Sequence, residues 1–214
     1  MNTAADKDPA TLIAILRGLT ESDAAAVGRC LYEAGLRTVE VPLNSPEPLR
    51  TITTLRALLP DDCLVGAGTV LTAEQVRLCH DAGAQIIVSP NTDTGVITET
   101  LELGMQSLPG TATPSEAFRA IGAGATRIKI FPAAQVGFDG LKAWTAVVPR
   151  EIGLIPVGGV DRSNIGAWLA AGATGLGIGS SLYRPGITVE DLRQRAISLI
   201  EAVQSAATSK RTPA

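Results

Sequence analysis

The chain has 214 residues, 45% of them hydrophobic and 18% charged, with a formal net charge of −3. That length and composition fit one large α/β domain or two small ones, with no signal of disorder away from the ends. The eighteen basic residues are dispersed and aromatics make up only 3%, so the chain offers no basic stripe, base-stacking platform or polybasic patch, and neither nucleic acid nor a membrane is an expected partner. The opening MNTAADKDPA lacks a secretory signal pattern, and apolar runs such as LIAIL fall far short of the roughly 18 residues of a membrane span; a cytoplasmic protein is expected. Cys30, Cys63 and Cys79 have neither zinc-like nor redox spacing and read as small buried hydrophobes.

In chain order, eight strands are predicted at 12–17, 38–43, 63–69, 86–90, 106–110, 127–131, 153–158 and 175–179, with helical patterns between them. Five of the helical patterns end in a glycine that runs at once into an apolar strand: Gly35, Gly83, Gly104, Gly124 and Gly172. Glycine tolerates the left-handed conformation at a helix C′ position, which lets the chain reverse within a few residues. Two helix starts are also marked, by Thr72 with Gln75 and by Thr113 with Glu116 at capping-box spacing. Regular alternation of strand and helix demands a parallel sheet, and eight such units closing on themselves make a (β/α)8 TIM barrel, near the short end of the roughly 200 to 400 residues such barrels occupy. A doubly wound open sheet is the alternative, and the absence of a GxGxxG opening after the first strand counts against its dinucleotide-binding form. With no Pro/Gly/Ser linker in the interior, residues 1–214 read as a single barrel domain with short polar tails at about 1–9 and 206–214.

Within the strand pattern TRIKIFP, Lys129 stands between Ile128 and Ile130. A buried ammonium must find a partner or lose its proton. Strand alternation turns Ile128 and Ile130 toward the helices and Lys129 and Phe131 into the barrel. The same parity on TVEVPLNS turns Glu40, Pro42 and Asn44 inward, so an amine and a carboxylate converge on one cavity. By itself that pair could be a buried ion pair and no more. Other polar or flexible groups close the strands at the same end, where barrels place their active sites: Arg17 and Gly18 on the first strand, Thr69 on the third, Pro90 on the fourth, Gly158 and Gly159 on the seventh, and Gly179 and Ser180 on the eighth. Glycines after strands seven and eight let a phosphate approach backbone N–H groups.

LIAILRG, VEVPLNSP, LVGAGTVL, IIVSPN, SLPGTATPSEAF, IKIFPA, PVGGV and GIGSSLYRPG, in that order, resemble the 2-keto-3-deoxy-6-phosphogluconate/6-phosphogalactonate aldolase family over roughly residues 12–185. The resemblance implies a metal-independent class I lyase on a trimeric barrel, with no cofactor and a small phosphorylated keto acid as substrate. It implies Lys129 as the Schiff-base lysine and Glu40 as the acid–base group. Arg17 and Thr69 then fall at the carboxylate end of the substrate, Pro90 and Phe131 line it, and Gly158, Gly159, Gly179 and Ser180 hold its phosphate. Asn44 and Val157 stand where the phosphogluconate branch carries Arg and Thr, so the resemblance favours the phosphogalactonate branch, with a phosphogluconate aldolase or a dual-specificity enzyme as the alternative.

Rival readings differ in the residues they need. A metal-dependent aldolase needs a cluster of His and carboxylate ligands, and this chain has one histidine, His80. A sugar-phosphate isomerase on the same barrel needs no lysine in strand six. A phosphate-ligand sensor would have no use for the Lys129 and Glu40 pair.

Overall fold

The computed structural model of the chain describes residues 11–209. Nine strand segments alternate with eight helices among the described residues: β1 Thr11–Ile15, α1 Glu21–Ala34, β2 Thr38–Pro42, α2 Pro48–Leu58, β3 Leu64–Gly68, α3 Ala73–Asp81, β4 Ile86–Val88, α4 Thr94–Glu102, β5 Gln106–Leu108, β6 Gly110–Thr111, α5 Pro114–Gly122, β7 Arg127–Ile130, α6 Ala133–Trp144, β8 Gly153–Pro156, α7 Ile165–Ala170, β9 Gly175–Ile178 and α8 Val189–Ser209. All the ladders are parallel. One runs β5-β4-β3-β2-β1-β9 and the other β6-β7-β8. A bridge between Val157 and Gly177 links β8 to β9, so the chain forms a (β/α)8 barrel whose ladder is interrupted where β5 passes into β6.

The interruption falls at Pro109, which has no N–H to give a ladder. Its carbonyl still accepts from the Lys129 amide at 2.8 Å. A single strand expected at 106–110 is therefore two short segments, each paired to a different neighbour. The other predicted strands run one or two residues too far at their C-terminal ends. Arg17, Thr69, Pro90, Phe131, Gly158 and Gly179 all lie one or two residues past the end of a strand, at the C-terminal end of the barrel. At the other extreme of the chain, α8 continues to Ser209, four residues into the stretch expected as a polar tail. The tail expected at 1–9 lies outside the described residues.

Strand alternation divides the apolar residues into two cores. Val39, Val41, Ile128 and Ile130 belong to the large layer between strands and helices. Ile13, Ile15, Ile86, Val88, Leu108, Ile155 and Val157, with Leu64 and Phe131 against them, fill the barrel interior. The interior is also shaped by what β3 and β9 leave out. A Cβ on Gly66 would lie 2.3 Å from Ile86 Cγ2, and one on Gly177 would lie 2.5 Å from Val157 Cγ2. The inward side chains of neighbouring strands thus lean into space that these glycines vacate.

The five glycines expected to stop helices all have positive φ, from 74° at Gly104 to 111° at Gly172. Thr113 and Glu116 form the reciprocal capping box. At α3 only half of that motif forms: Thr72 accepts from the Gln75 amide, while Gln75 Oε1 takes the Leu71 amide at 2.7 Å. All three cysteines are buried and free. No helix among the described residues is long and apolar enough to cross a membrane.

Arg56 staples the turn that delivers β3. Its guanidinium donates to the carbonyls of Leu59, Pro60 and Cys63 and to Gln85 Oε1. Removing it strands several acceptors in a partly buried setting, so Arg56→Met is expected to lower unfolding free energy by about 2–3 kcal/mol in urea titration, with native circular dichroism retained. A loss below about 0.5 kcal/mol would mean that water replaces the staple.

Candidate active site

Lys129 and Glu40 project from β7 and β2 into the barrel interior, only 7% and 2% exposed. Glu40 sits in register with Ile15 on one side and Gly66 on the other, and Lys129 with Gly110 and Ile155. The two groups influence each other's charge, yet they form no ion pair within 4.0 Å. Glu40 Oε2 is buried without a hydrogen-bond partner. Lys129 Nζ stands 4.6 Å from the centroid of the Phe131 ring, a cation–π distance in which the ring offers far less than a carboxylate would.

Burial dominates the titration of both groups. It pushes the Glu40 carboxyl up to about 7, against the opposing pull of Lys129 and Arg17. It holds the Lys129 amine below its ordinary value, with Arg17 acting in the same direction and Glu40 opposing. Desolvation penalises the charged form of each and is the largest cause of both shifts. That arrangement suits a nucleophile that must attack unprotonated and an acid–base group that must exchange protons near neutrality.

The remaining predicted residues surround this pair at the C-terminal mouth. Arg17 is exposed, and its Nη1 donates to Asn44 Oδ1 at 2.5 Å. Beside it the Gly18 amide donates to Ser45 Oγ at 2.9 Å, so the loops after β1 and β2 are clamped together. Thr69 takes a positive φ of 59° at the end of β3, an uncommon conformation for a β-branched residue and one that turns the chain at the rim. Phe131 connects the lysine to the glycine loop: a Cβ on Gly158 would meet its ring at 3.7 Å. Gly158 and Gly159 both have positive φ, 97° and 76°. After β9 the chain makes a helical turn in which the Leu182 and Tyr183 amides donate to the Gly179 carbonyl, with Ser180 exposed at its start. Ser181 Oγ donates to the Val160 carbonyl at 2.8 Å, which ties the two glycine loops to each other. Thr69 and Pro90 share the mouth by strand position, and neither bonds to Lys129 or Glu40.

Sequence reasoning did not anticipate the clamp of Arg17 on Asn44 or of Gly18 on Ser45, because each joins residues 27 apart through loops. The only local signal was the inward parity of Asn44. Val157 lies at the mouth directly before Gly158, 5% exposed and in the inner cluster, so it presents methyl groups and no hydroxyl there. Among the described residues, no three His, Cys, Asp or Glu side chains converge as metal ligands.

Fold and site together define a (β/α)8-barrel protein with a desolvated amine and carboxyl facing its C-terminal mouth. The model of the KDPG and KHG aldolase family matches residues 6–198, and the chain belongs to that family. It is 46% identical over 191 residues to the probable 2-dehydro-3-deoxy-6-phosphogalactonate aldolase of Rhizobium meliloti, covering 89% of this chain and 90% of that one. It is 44% identical over 195 residues to the 2-dehydro-3-deoxy-6-phosphogalactonate aldolase of Escherichia coli, covering 91% and 95%. A solved structure described as native KDPGal superposes with a TM-score of 0.91 at 43% identity, covering 94% of this chain and 97% of the other. A KDPG aldolase from Legionella pneumophila, with pyruvate captured as a covalent carbinolamine intermediate, superposes at a TM-score of 0.78 with 26% identity, covering 95% and 96%.

The raised Glu40 carboxyl has a consequence for stability. In the unfolded chain a glutamate ionises near 4.5, but in the native state it ionises near 7. Between those values the unfolded chain gives up a proton that the folded chain keeps, so stability falls as pH rises through the window, and above it the full penalty persists. Glu40→Gln escapes this penalty. Its melting temperature is expected to gain on wild type as pH rises from 4.5 to 7 and then to hold level, whereas a pH-independent difference would contradict the assignment.

Proposed function

We propose that the protein is a class I, metal-independent aldolase that cleaves 2-dehydro-3-deoxy-6-phosphogalactonate to pyruvate and glyceraldehyde 3-phosphate. The observation that carries this reading is the burial of Lys129 inside the barrel mouth with no ion-pair partner and its charge disfavoured by desolvation. Names borne by relatives at 46% and 44% identity supply the substrate, and the carbinolamine held by a more distant relative supplies the covalent precedent.

In this mechanism neutral Lys129 Nζ attacks the C2 ketone, and the carbinolamine loses water to give an iminium ion. Glu40, acting through a water, takes the C4 hydroxyl proton. The C3–C4 bond then breaks, its electron pair moves into the iminium to form an enamine, and glyceraldehyde 3-phosphate leaves. Glu40 returns the proton to C3, and hydrolysis of the imine releases pyruvate and the free amine. Arg17 binds the carboxylate end together with Thr69, Pro90 and Phe131 line the substrate, and Gly158, Gly159, Gly179 and Ser180 receive the phosphate on backbone N–H groups.

The same reading carries a cytoplasmic homotrimer, for which the exposed Phe118, Phe138 and Val147 provide apolar surface. Sedimentation at a mass other than three times 22.1 kDa would remove that part alone.

Borohydride added with pyruvate is expected to leave a stable adduct on the peptide that contains Lys129, and EDTA to leave turnover unchanged. An adduct elsewhere, or activity lost to chelation and restored by a divalent ion, would overturn the mechanism. Glu40→Gln should lower kcat by about 10²-fold, the usual scale for general acid–base catalysis.

Epimer preference follows from Val157. Discrimination at one hydroxyl depends on whether the wrong epimer leaves a buried group unpaired, a difference of about 1–3 kcal/mol. With methyls at 157 the gluco epimer lacks an anchor. The ratio of kcat/KM is expected to favour the galacto epimer and to move toward the gluco epimer in Val157→Thr; a tenfold gluco preference in wild type would reject the substrate assignment.

A further inference from the structure

We propose that Gly68 is a positioning residue: its missing side chain is the seat in which the Glu40 carboxylate rests, and this seat, more than any bond to Glu40, sets where the acid–base group stands. The inference rests on the proposed role of Glu40.

An ideal Cβ built on Gly68 falls 2.0 Å from Glu40 Oε2, 2.5 Å from Cδ and 2.6 Å from Oε1. All three atoms are the carboxylate itself, so the group lies over the β3 backbone in the volume that any other residue at 68 would claim. Glu40 pairs in register with Gly66, one inward position below Gly68. Its side chain therefore climbs one level toward the mouth. It cannot settle lower, because the space over Gly66 is filled by Ile86, whose Cγ2 and backbone oxygen would lie 2.3 and 2.2 Å from a Cβ there. Ile86 makes the floor of the seat and β3 its wall. No hydrogen bond holds Glu40 Oε2 in place, so shape is what remains to fix it. At the upper end the chain turns away at Thr69, whose φ of 59° ends the wall.

A seat of this kind has a use that a hydrogen-bonded cradle lacks. Donors aimed at the carboxylate would stabilise its ionised form and lower its proton affinity. A glycine wall above an apolar floor offers the carboxylate no donor. The carboxyl is thereby kept both immobile and ready to take up a proton.

The obstructing atoms are the far end of a flexible side chain, and Gly68 does not have a positive φ. Gly68→Ala is therefore expected to fold, with Glu40 swung out of its seat. The test is a double-mutant cycle with Glu40→Ala, read by kcat, by borohydride trapping of pyruvate and by melting temperature. Gly68→Ala alone is expected to lower kcat by about 30-fold or more while trapping at Lys129 stays within about threefold, since imine formation needs the amine more than the acid. In the Glu40→Ala background, where the seat is empty, the same substitution should change kcat by no more than about twofold and leave the melting temperature intact. Should Gly68→Ala prove insoluble alone but soluble in that background, the clash with the carboxylate is demonstrated directly. The proposal is overturned if Gly68→Ala keeps kcat within about threefold of wild type while Glu40→Ala is crippled. Equal loss in both backgrounds, or failure to fold in both, also overturns it, because the glycine would then serve the backbone alone. If Glu40→Ala itself turns over normally, the acid–base role of Glu40 fails, and the proposal with it.

Discussion

Lys129 and Glu40 are both taken out of bulk solvent, and neither is allowed to neutralise the other by direct contact; the barrel mouth is arranged around that constraint. An ion pair would be the ordinary way to bury both charges, and it would lock the amine as an ammonium. Here the strands hold the groups on β7 and β2, with 7% and 2% exposure and no ion pair between them. The result is a carboxyl near 7 and an amine held below its usual range. Both shifts have desolvation as their largest cause, so both depend on the apolar interior formed by Ile13, Ile15, Ile86, Val88, Leu108, Ile155 and Val157.

That interior is asymmetric, and the asymmetry serves the site. β3 and β9 bring glycines to inward positions, so Ile86 leans over Gly66 and makes a floor, while Val157 leans over Gly177 at the mouth. Above this floor the strands stop pairing. Arg17, Thr69, Phe131, Gly158 and Gly179 follow directly on the last paired residues or lie one beyond them, and the clamps of Arg17 on Asn44 and Ser181 on Val160 bind neighbouring loops in place of ladder bonds. The rim is thus held by side chains, which allows it to take conformations, such as Thr69 at positive φ, that a ladder forbids.

Much of the frame was legible from residue types alone. Glycine stops at Gly35, Gly83, Gly104, Gly124 and Gly172 marked five helix-to-strand reversals because their conformations admit little else. Inward parity at Lys129 and Glu40 followed from the two-residue period of a strand, and the outer core holds Ile128 and Ile130 as that period requires. Strand ends were over-read because apolar and β-branched residues continue past the last hydrogen bond, where tertiary packing and not propensity decides. The break at Pro109 hid inside one apolar run. Gln75 was misplaced by one residue in its capping contact, since spacing fixes reach but not which of two adjacent amides is taken. The Arg17–Asn44 clamp and the carboxylate seat on Gly68 were illegible for a common reason: both join separate strands, and one of them is made by an atom that is absent.

The central claim is that Lys129 is buried without a partner so that it can act as an amine. A crystal soaked with pyruvate near neutral pH tests it most directly. Continuous density is expected from Lys129 Nζ to the C2 carbon of pyruvate. Pyruvate bound without a covalent link, or joined to any other residue, would contradict it.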